Sequence, residues 1–310
     1  MTVRWSIGRS GTLLAPAHAM TVTLMTTSTS GSATTLSDTQ VTELAQELYD
    51  AEQSGVPIQP ISQRFPEATI ADAYAIQAAG TRMRRDAGEL VRGRKVGLTA
   101  RVMQTQFGVD EPDYGVLLGS MFHHENTPLT SSALIAPRVE PEVSFVLAHS
   151  LKGPGVTVAD VLAATAFVVP SLEIIDSRIK DWKITIVDTI ADNASSARVV
   201  VGGAPTPLDQ VDPRTIGVVL RRNGAIVETG ASGAVLGNPA AAIAWLANTL
   251  APFGEHLNAR DLIMPGTCTR AIEVVPGDTI RAEFDTLGDV TVSFVDDSAD
   301  APTMNKVGAR

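Results

Sequence analysis

The sequence has few of the residues that characterise disulfide-rich, nucleic-acid-binding or membrane proteins. Its 310 residues include one cysteine, Cys268, which excludes an intramolecular disulfide and a cysteine-rich zinc site. Lys and Arg number 24 against 34 Asp and Glu, and the net charge of -10 argues against nucleic acid as a partner. No apolar run is long enough to span a bilayer, so we expect no membrane contact. A single unpaired thiol favours a reducing cytoplasm.

The composition that remains is that of an ordinary globular protein. Hydrophobic residues make up 44% and charged residues 19%, which suffices for a sizeable core. Residues 1–37 are rich in Ser, Thr and Ala, and we expect them to form a disordered or mis-started N-terminal extension. Residues 297–310 are polar, and we expect a frayed tail there. The ordered part has the length of one large domain or two small ones.

Helical patterns dominate the first part of the ordered chain. Apolar residues recur at helical spacing over 41–49 and again over 70–87. Thr69 precedes the second segment, where its hydroxyl can accept hydrogen bonds from the first-turn N–H groups. The sequence therefore predicts a helical N-terminal portion over residues 38–92.

Short apolar segments separated by Gly and Pro dominate residues 93–296 and predict a β-rich catalytic domain. The pair Asn223-Gly224 predicts a hairpin, because both residues tolerate positive φ. Two segments with helical spacing, 158–168 and 239–250, interrupt the strands. Strands with few helices in this order predict an α+β fold instead of a doubly wound sheet.

Three glutamates lie in two strongly apolar segments that are predicted to be strands. Glu140 and Glu142 are two residues apart, so a strand directs both side chains to one face. Glu173 has a similar apolar setting. Neighbouring carboxylates repel each other and are costly to bury, and a hard divalent cation such as Mg²⁺ or Mn²⁺ relieves both problems. The alternative is a half-exposed strand whose polar face is acidic.

Two further charged residues have a functional and an ordinary interpretation. Lys95, between glycines and apolar residues, can pair with a substrate carboxylate or transfer a proton once desolvation lowers its pKa, or it can be a surface lysine. Asp113 follows Pro112 in a turn setting, which alone can account for it. Asp176 and Arg178 are interpreted as an internal ion pair.

Two polar segments provide candidate substrate-binding residues. The segment 188–196, which contains Asp192, is predicted to be a polar loop that reaches the functional site. Ordinary turn chemistry is the alternative explanation of its polar residues. The segment 265–270 offers glycine and hydroxyl donors, including Thr269, with Arg270 as a clamp for a carboxylate. An ordinary tight connection is the alternative there.

Five motifs in this order resemble the 2-keto-4-pentenoate hydratase family, also called 2-hydroxypentadienoate hydratases, of the fumarylacetoacetate hydrolase superfamily. The resemblance covers residues 38–296. The motifs are Gly93-Arg94-Lys95-Val96-Gly97-Leu98-Thr99, Glu111-Pro112-Asp113-Tyr114-Gly115, Arg138-Val139-Glu140-Pro141-Glu142, Leu172-Glu173-Ile174-Ile175-Asp176-Ser177-Arg178 and Asp188-Thr189-Ile190-Ala191-Asp192-Asn193-Ala194-Ser195.

The resemblance implies a mixed β-roll core with a smaller helical N-terminal portion. It also implies Mg²⁺ or Mn²⁺ at Glu140, Glu142 and Glu173, and an active site lined by Lys95 and Asp113. Members work in the cytoplasm as homo-oligomers in the meta-cleavage catabolism of aromatic compounds. A complex with a decarboxylase or aldolase of the pathway is a further partner that the resemblance suggests.

The activity implied is hydration of 2-hydroxypenta-2,4-dienoate, a small-molecule substrate, to 4-hydroxy-2-oxopentanoate. Related 4-oxalocrotonate decarboxylases, which act on 2-oxo-3-hexenedioate, and hydratases of longer or dicarboxylic dienoates share the metal motif and stay open as alternatives. The segment 264–271 is more similar to hydratases, whereas Arg270 leaves room for a second substrate carboxylate. A non-catalytic partner of a pathway enzyme is the alternative of another class.

Overall fold

The computed structural model describes residues 34–100, 104–105 and 108–296. Most of the predicted extension, 1–33, and the predicted frayed tail, 297–310, lie outside the described residues. Residues 34–37, which the prediction placed in the extension, are fastened to the helical portion, because Leu36 is buried and its N–H donates to Asp72 Oδ1 at 3.0 Å. Residues 34–37 are therefore packed against the helical portion, unlike the extension predicted for them.

Capping residues fix where the N-terminal helices begin. The Ser37 hydroxyl accepts a hydrogen bond from Gln40 N, and the Thr69 hydroxyl accepts one from Asp72 N, as predicted for Thr69. The three helices are α1 (Asp38–Ser54), α2 (Ile61–Arg64) and α3 (Ile70–Asp86). Later in the described chain lie α4 (Val158–Ala164), α5 (Ile186–Ala191) and α6 (Pro239–Leu250). None of the described helices combines the length and the apolarity needed to cross a bilayer.

The strands form two sheets, which confirms the predicted α+β class with a helical N-terminal portion. The described strands are β1 (Val91–Gly97), β2 (Asp113–Leu118), β3 (Phe122–His123), β4 (Leu129–Thr130), β5 (Arg138–Leu147), β6 (Thr165–Ile175), β7 (Ser196–Val201), β8 (Gly217–Arg222), β9 (Ala225–Ala231), β10 (Leu262–Met264), β11 (Ile272–Glu273), β12 (Thr279–Phe284) and β13 (Gly288–Val295). The first sheet has the order β2-β1-β10-β5-β6-β7-β3, and β11 also pairs with β5. The second sheet has the order β4-β13-β12-β8-β9. Pairing is mixed, since β1 runs parallel to β10 while β5 and β6 are antiparallel.

The hydrophobic core has separate clusters for the sheets and for the helices. The largest cluster joins both sheets with α6 through residues such as Phe145 and Leu246. A second cluster packs Leu44 and Ile76 of the N-terminal helices against Ile190 of α5. Because α5 belongs to the β-rich part of the chain, the helical portion shares a core with that part.

Two predicted elements differ from the structure, and one is confirmed. The helix predicted over 158–168 ends at Ala164, and residues from Thr165 pair with β5, where β-branched and aromatic side chains pack well. The loop predicted over 188–196 contains the end of α5, and the Asp188 carboxylate that made it look polar accepts hydrogen bonds at the start of that helix. The hairpin at Asn223-Gly224 is confirmed between β8 and β9.

Candidate active site

The three glutamates converge on one face of the β5–β6 ladder. Glu140 lies directly opposite Glu173 in the antiparallel register, and Glu142 is two residues further along β5. Each side chain offers one carboxylate oxygen, and these three oxygens lie within 4.8 Å of one another. Glu142 is 1% exposed and Glu173 0%, whereas Glu140 is half-buried. The structure thus brings together the three residues that the sequence grouped.

Burial of these like charges changes their protonation. Burial, followed by repulsion from Glu173, raises the pKa of Glu140 to about 7. The same two causes, with the Glu140 charge in addition, raise the pKa of Glu142 well above its usual range. Glu140 and Glu142 therefore bind protons at a pH where ordinary carboxylates are ionised.

Lys95 supplies one positive charge to the cluster. It lies on β1, its side chain is 6% exposed, and its Nζ is 3.3 Å from Glu173 Oε2. Burial lowers the pKa of Lys95, but the carboxylates of Glu173, Asp113 and the two other glutamates outweigh burial, so the pKa is raised above its ordinary value. Lys95 therefore stays a cation at neutral pH.

Asp113 completes the buried group from the neighbouring strand. It begins β2, opposite Gly97 of β1, and is 2% exposed. A Cβ added to Gly97 would lie 2.2 Å from Asp113 Oδ1, so a glycine is needed opposite this carboxylate. Burial raises the pKa of Asp113 to about 6, although the Lys95 charge opposes the shift. Asp113 can therefore change its protonation state near neutral pH.

The donor set fits a hard divalent cation. Both carboxylate oxygens of Glu173 are buried and accept no hydrogen bond from the described residues, although Oε2 lies in ion-pair range of Lys95. Glu142 Oε2 accepts one hydrogen bond, from Gly266 N at 2.8 Å. Buried carboxylates that lack hydrogen-bond donors are costly unless a cation coordinates them, and carboxylate oxygens suit Mg²⁺ or Mn²⁺.

Gly266 is a site residue whose role sequence reasoning missed. The segment 265–270 was interpreted as a source of donors for a substrate oxyanion, yet its Gly266 N–H donates to the protein's own Glu142. Gly266 has φ 130°, and a Cβ there would lie 2.2 Å from Thr99 Oγ1. The glycine that follows β10 was visible in the sequence, but its partner depends on the packing of distant segments.

Asp192 lies in an internal ion pair. Its Oδ1 accepts a hydrogen bond from Arg178 Nε at 2.5 Å, and its side chain is 1% exposed. The direct ion pair of Arg178 is thus with Asp192 and not with Asp176 as predicted. The Asp176 carboxylate accepts the backbone N–H groups of Ile135 and Ala136, while its carbonyl accepts a hydrogen bond from Arg178 Nη1. The carboxylate of Asp192 is thus engaged by the protein itself.

Arg270 lies toward solvent, and Thr269 is half-buried. The Arg270 side chain is 85% exposed and its Nη2 forms an ion pair with Glu228 at 2.5 Å. The Thr269 hydroxyl donates to the Arg270 carbonyl at 3.0 Å. None of these contacts links either side chain to the three glutamates.

Comparison with known proteins agrees with the motifs. A family model described as Fumarylacetoacetate (FAA) hydrolase C-terminal matches residues 96–295. The 2-keto-4-pentenoate hydratase of Paraburkholderia xenovorans is 43% identical over 267 residues, which cover 86% of this chain and 97% of that protein. The 2-oxo-hept-4-ene-1,7-dioate hydratase of Escherichia coli is 41% identical over 260 residues, 82% of this chain and 97% of that protein.

A solved structure extends the likeness to the fold. The 4-oxalocrotonate decarboxylase from Pseudomonas putida, complexed with magnesium and adipate, matches with a TM-score of 0.83 and 41% identity. The match covers 85% of this chain and 100% of that chain. The resemblance inferred from the motifs is confirmed, and the chain belongs to the fumarylacetoacetate hydrolase family, in the group that includes 2-keto-4-pentenoate hydratases and 4-oxalocrotonate decarboxylases.

Proposed function

We propose that this protein catalyses the metal-dependent hydration of 2-hydroxypenta-2,4-dienoate to 4-hydroxy-2-oxopentanoate in aromatic meta-cleavage catabolism. The observation that carries the proposal is the convergence of three buried glutamate oxygens within 4.8 Å, beside Lys95 and Asp113. The 43% identity to a 2-keto-4-pentenoate hydratase supports the choice of substrate.

Glu140, Glu142 and Glu173 would hold one Mg²⁺ or Mn²⁺ ion. When bound, such an ion would supply Lewis-acid chemistry that stabilises negative charge on a substrate oxygen. Gly266 N–H orients Glu142 through the hydrogen bond to Oε2 at 2.8 Å. Hydrogen bonds of this kind orient carboxylates that ligate metal ions.

Lys95 and Asp113 divide the remaining work by their protonation. Lys95 stays charged, so we assign it to pairing with the anionic end of the substrate and not to removing a proton. Asp113 has a raised pKa of about 6 and a buried Oδ1 that accepts no hydrogen bond from the described residues. It is suited to carry the proton during ketonisation, which removes the enol proton and adds one at carbon 5 of the dienoate.

Hydration then follows by conjugate addition. The unsaturated 2-oxo acid gains the hydroxyl of water at carbon 4 and a proton at carbon 3, so the overall reaction adds one water and consumes no co-reactant. Asp113 is the buried group that can accept the proton of the attacking water. General acid–base assistance of this kind contributes roughly 10²–10⁴-fold to rates.

Decarboxylation of 2-oxo-3-hexenedioate is the second candidate. The similarity in fold to the solved 4-oxalocrotonate decarboxylase, with a TM-score of 0.83, supports this second activity. The position of Arg270 weakens it, and also weakens hydration of a longer dicarboxylic dienoate, because this cation is 85% exposed and paired with Glu228. A second substrate carboxylate therefore has no counter-charge from Arg270.

Assembly and location remain predictions that follow from the family. We propose that the protein forms a homo-oligomer in the cytoplasm. A complex with a decarboxylase or aldolase of the pathway is a second form of association to test. The mass of the purified protein by light scattering, alone and mixed with each enzyme, measures both forms of association.

A substrate panel tests the proposed function. Purified protein with Mg²⁺ or Mn²⁺ is given 2-hydroxypenta-2,4-dienoate, 2-oxo-hept-4-ene-1,7-dioate and 2-oxo-3-hexenedioate, and both dienol loss and CO₂ release are followed. We expect the highest kcat/KM with the five-carbon monocarboxylate and no CO₂ from the six-carbon substrate. Rapid CO₂ release from 2-oxo-3-hexenedioate, with slow hydration of the other two substrates, would overturn the proposal and show that the protein is a decarboxylase.

A further inference from the structure

The outer edge of β2, the strand that carries Asp113, is closed by side chains. β2 is the terminal strand of its sheet, with β1 on its inner side. Val116 N donates to Asn193 Oδ1 at 2.7 Å, and Asn193 Nδ2 donates to Val116 O at 2.9 Å. Gln77 Nε2 donates to Tyr114 O at 2.8 Å. Two side-chain amides thus take the place of a neighbouring strand along this edge.

The turn that presents Asn193 has an unfavourable backbone conformation. Asn193, Ala194 and Ser195 have φ values of 55°, 50° and 54°, three consecutive left-handed residues that are not glycine. Side chains on L residues disfavour this region, and runs of such residues are rare. The turn therefore persists only because surrounding contacts hold it.

The buried guanidinium of Arg178 holds both ends of this turn. At the first end its Nε donates to Asp192 Oδ1 and its Nη2 to the Asp192 carbonyl, each at 2.5 Å. At the other end its Nη1 donates to the Ser196 carbonyl at 3.1 Å. This use of Arg178 explains why Asp192 is buried, and it gives the motif from 188 to 196 a role other than substrate contact.

Gly115 lets the turn approach the catalytic face of β2. A Cβ on Gly115 would lie 2.6 Å from the Asn193 carbonyl oxygen, so a side chain there would push the turn away. Gly115 lies opposite Lys95 in the β1–β2 register and, two residues from Asp113, faces the same side of the strand. The turn is therefore in contact with β2 on the face that bears the proposed catalytic groups.

We propose that Asn193 is a positioning residue, whose amide fixes the edge of β2 and thereby the Asp113 carboxylate relative to Lys95 and the three glutamates. The amide of Asn193 supplies both the acceptor for Val116 N–H and the donor for Val116 C=O, and an ionised carboxylate in its place could only accept. The catalytic part of this inference rests on the proposed hydration, whereas the restraint on β2 is measurable without turnover.

The test compares Asn193→Asp with Asn248→Asp as a matched control. Asn248 makes the same two-way contact with a different backbone, since Val156 N donates to its Oδ1 and its Nδ2 donates to Val156 O, both at 2.9 Å. Both asparagines are half-buried, and each substitution keeps the size of the side chain and removes its donor. Hydrogen exchange over residues 113–118, kcat, KM and Mn²⁺ affinity are measured for each variant.

For Asn193→Asp we expect faster exchange over residues 113–118 and a fall in kcat of about 10²-fold, because a displacement near 1 Å costs roughly that much. KM and Mn²⁺ affinity should change little, and Asn248→Asp should leave exchange over 113–118 and kcat at wild-type values. Should Asn193→Asp fail to fold, Asn193→Ala, which leaves room for water at Val116, is measured in its place.

Three results overturn the inference: unchanged exchange over residues 113–118, unchanged kcat despite faster exchange, or an equal fall in kcat in Asn248→Asp. A wild-type protein that hydrates no dienoate would instead refute the proposed function. In that case the distance from Asp113 to Lys95 in crystals of the Asn193 variant decides the matter, and an unchanged distance overturns the positioning role.

Discussion

Strand alternation and the β5–β6 register bring Glu140, Glu142 and Glu173 together, although their like charges repel one another. Two of the three are almost completely buried, and only Lys95 among the described residues forms an ion pair with one of them, at 3.3 Å. The local energetics thus favour either proton uptake or cation binding. Both responses can be measured, and they compete for the same oxygens.

The first prediction concerns metal binding and pH. Burial and the charge of Glu173 raise the pKa of Glu140 from 4.5 to about 7, so metal must displace a proton at and below neutral pH. We expect Mg²⁺ or Mn²⁺ to bind more weakly at pH 6 than at pH 8, with proton release. Calorimetric titration in two buffers of different ionisation enthalpy measures this release, and an affinity independent of pH would contradict the electrostatic account.

The same shift predicts how the metal-free protein responds to pH. An acid with a raised pKa in the folded state binds its proton more tightly there than in the unfolded chain. The stability that Glu140 contributes is therefore complete below pH 4.5 and is lost as the pH rises through about 7. The melting temperature of chelator-treated protein should fall as the pH rises from about 4.5 to about 7, and excess Mn²⁺ should restore it.

A second prediction separates Asp113 from the metal ligands. Asp113→Asn keeps the size of the side chain but cannot exchange a proton, so hydration should slow by roughly 10²–10⁴-fold while Mn²⁺ affinity is kept. In the wild type at saturating Mn²⁺, kcat should fall below pH 6, where Asp113 becomes protonated. If the variant keeps the wild-type kcat, or if its kcat still falls below pH 6 as in the wild type, another group moves the proton.

At the scale of elements, β1 and β2 form a pair whose glycines create space for the catalytic carboxylate. Gly97 faces Asp113 across the register, and Gly115 faces Lys95. Both glycines stand in the motifs that the sequence provided, but their purpose is clear only when the register is known. A third prediction follows from Gly97.

Gly97→Ala should lower kcat clearly, while its thermal stability should change little. The added Cβ would lie 2.2 Å from Asp113 Oδ1, and the carboxylate can rotate away while the strand pairing stays intact. Gly217→Ala in β8 is the matched control, because a Cβ there meets no atom within 4 Å. Thermal melts and kinetics of both variants test this, and an unchanged kcat in Gly97→Ala means that Asp113 needs no fixed position.

A fourth prediction decides between a structural and a substrate-binding role for Asp192. Asp192→Asn leaves the Arg178 guanidinium buried without its carboxylate, and breaking a buried pair in this way costs about 3–5 kcal/mol. We expect a clear loss of stability in denaturant titrations with KM unchanged. A raised KM at wild-type stability would restore the original interpretation of Asp192 as a substrate ligand.

The limits of sequence-based prediction also appear at the scale of elements. Helices with strong caps were predictable, since Thr69 accepts a first-turn N–H group where expected. The helix predicted over 158–168 was too long, because pairing of Thr165 and its successors with β5 outweighed local periodicity. Local patterns could not reveal a partner strand that lies 18 or more residues earlier in the chain.

At the scale of the whole molecule, the site is assembled from distant parts of the chain. The grouping of three glutamates was predictable because alternation within strands is local and the motifs resemble a known family. The contacts of Gly266 with Glu142, and of Asn193 with Val116, join residues 124 and 77 positions apart. No periodicity encodes such contacts, so the supporting residues emerge only from the fold.

The helical N-terminal portion also belongs to this assembly. Ser62 Oγ donates to Asp188 Oδ2 at 2.6 Å, and Gln77 Nε2 donates both to Tyr114 O and to Ile190 O. These bonds link α2 and α3 with α5 and with the strand that carries Asp113. The helices therefore support the candidate site, although they end before the residues that the family model matches.

The most direct test of the account is the stoichiometry of Mn²⁺ in wild type and in Glu142→Gln, measured together with dienoate turnover. We predict one ion per wild-type chain, and for the variant a loss of ion binding and of turnover by at least about 10²-fold, with the fold intact by circular dichroism. Wild-type turnover by Glu142→Gln in the presence of a chelator would contradict the central claim that these glutamates hold a catalytic cation.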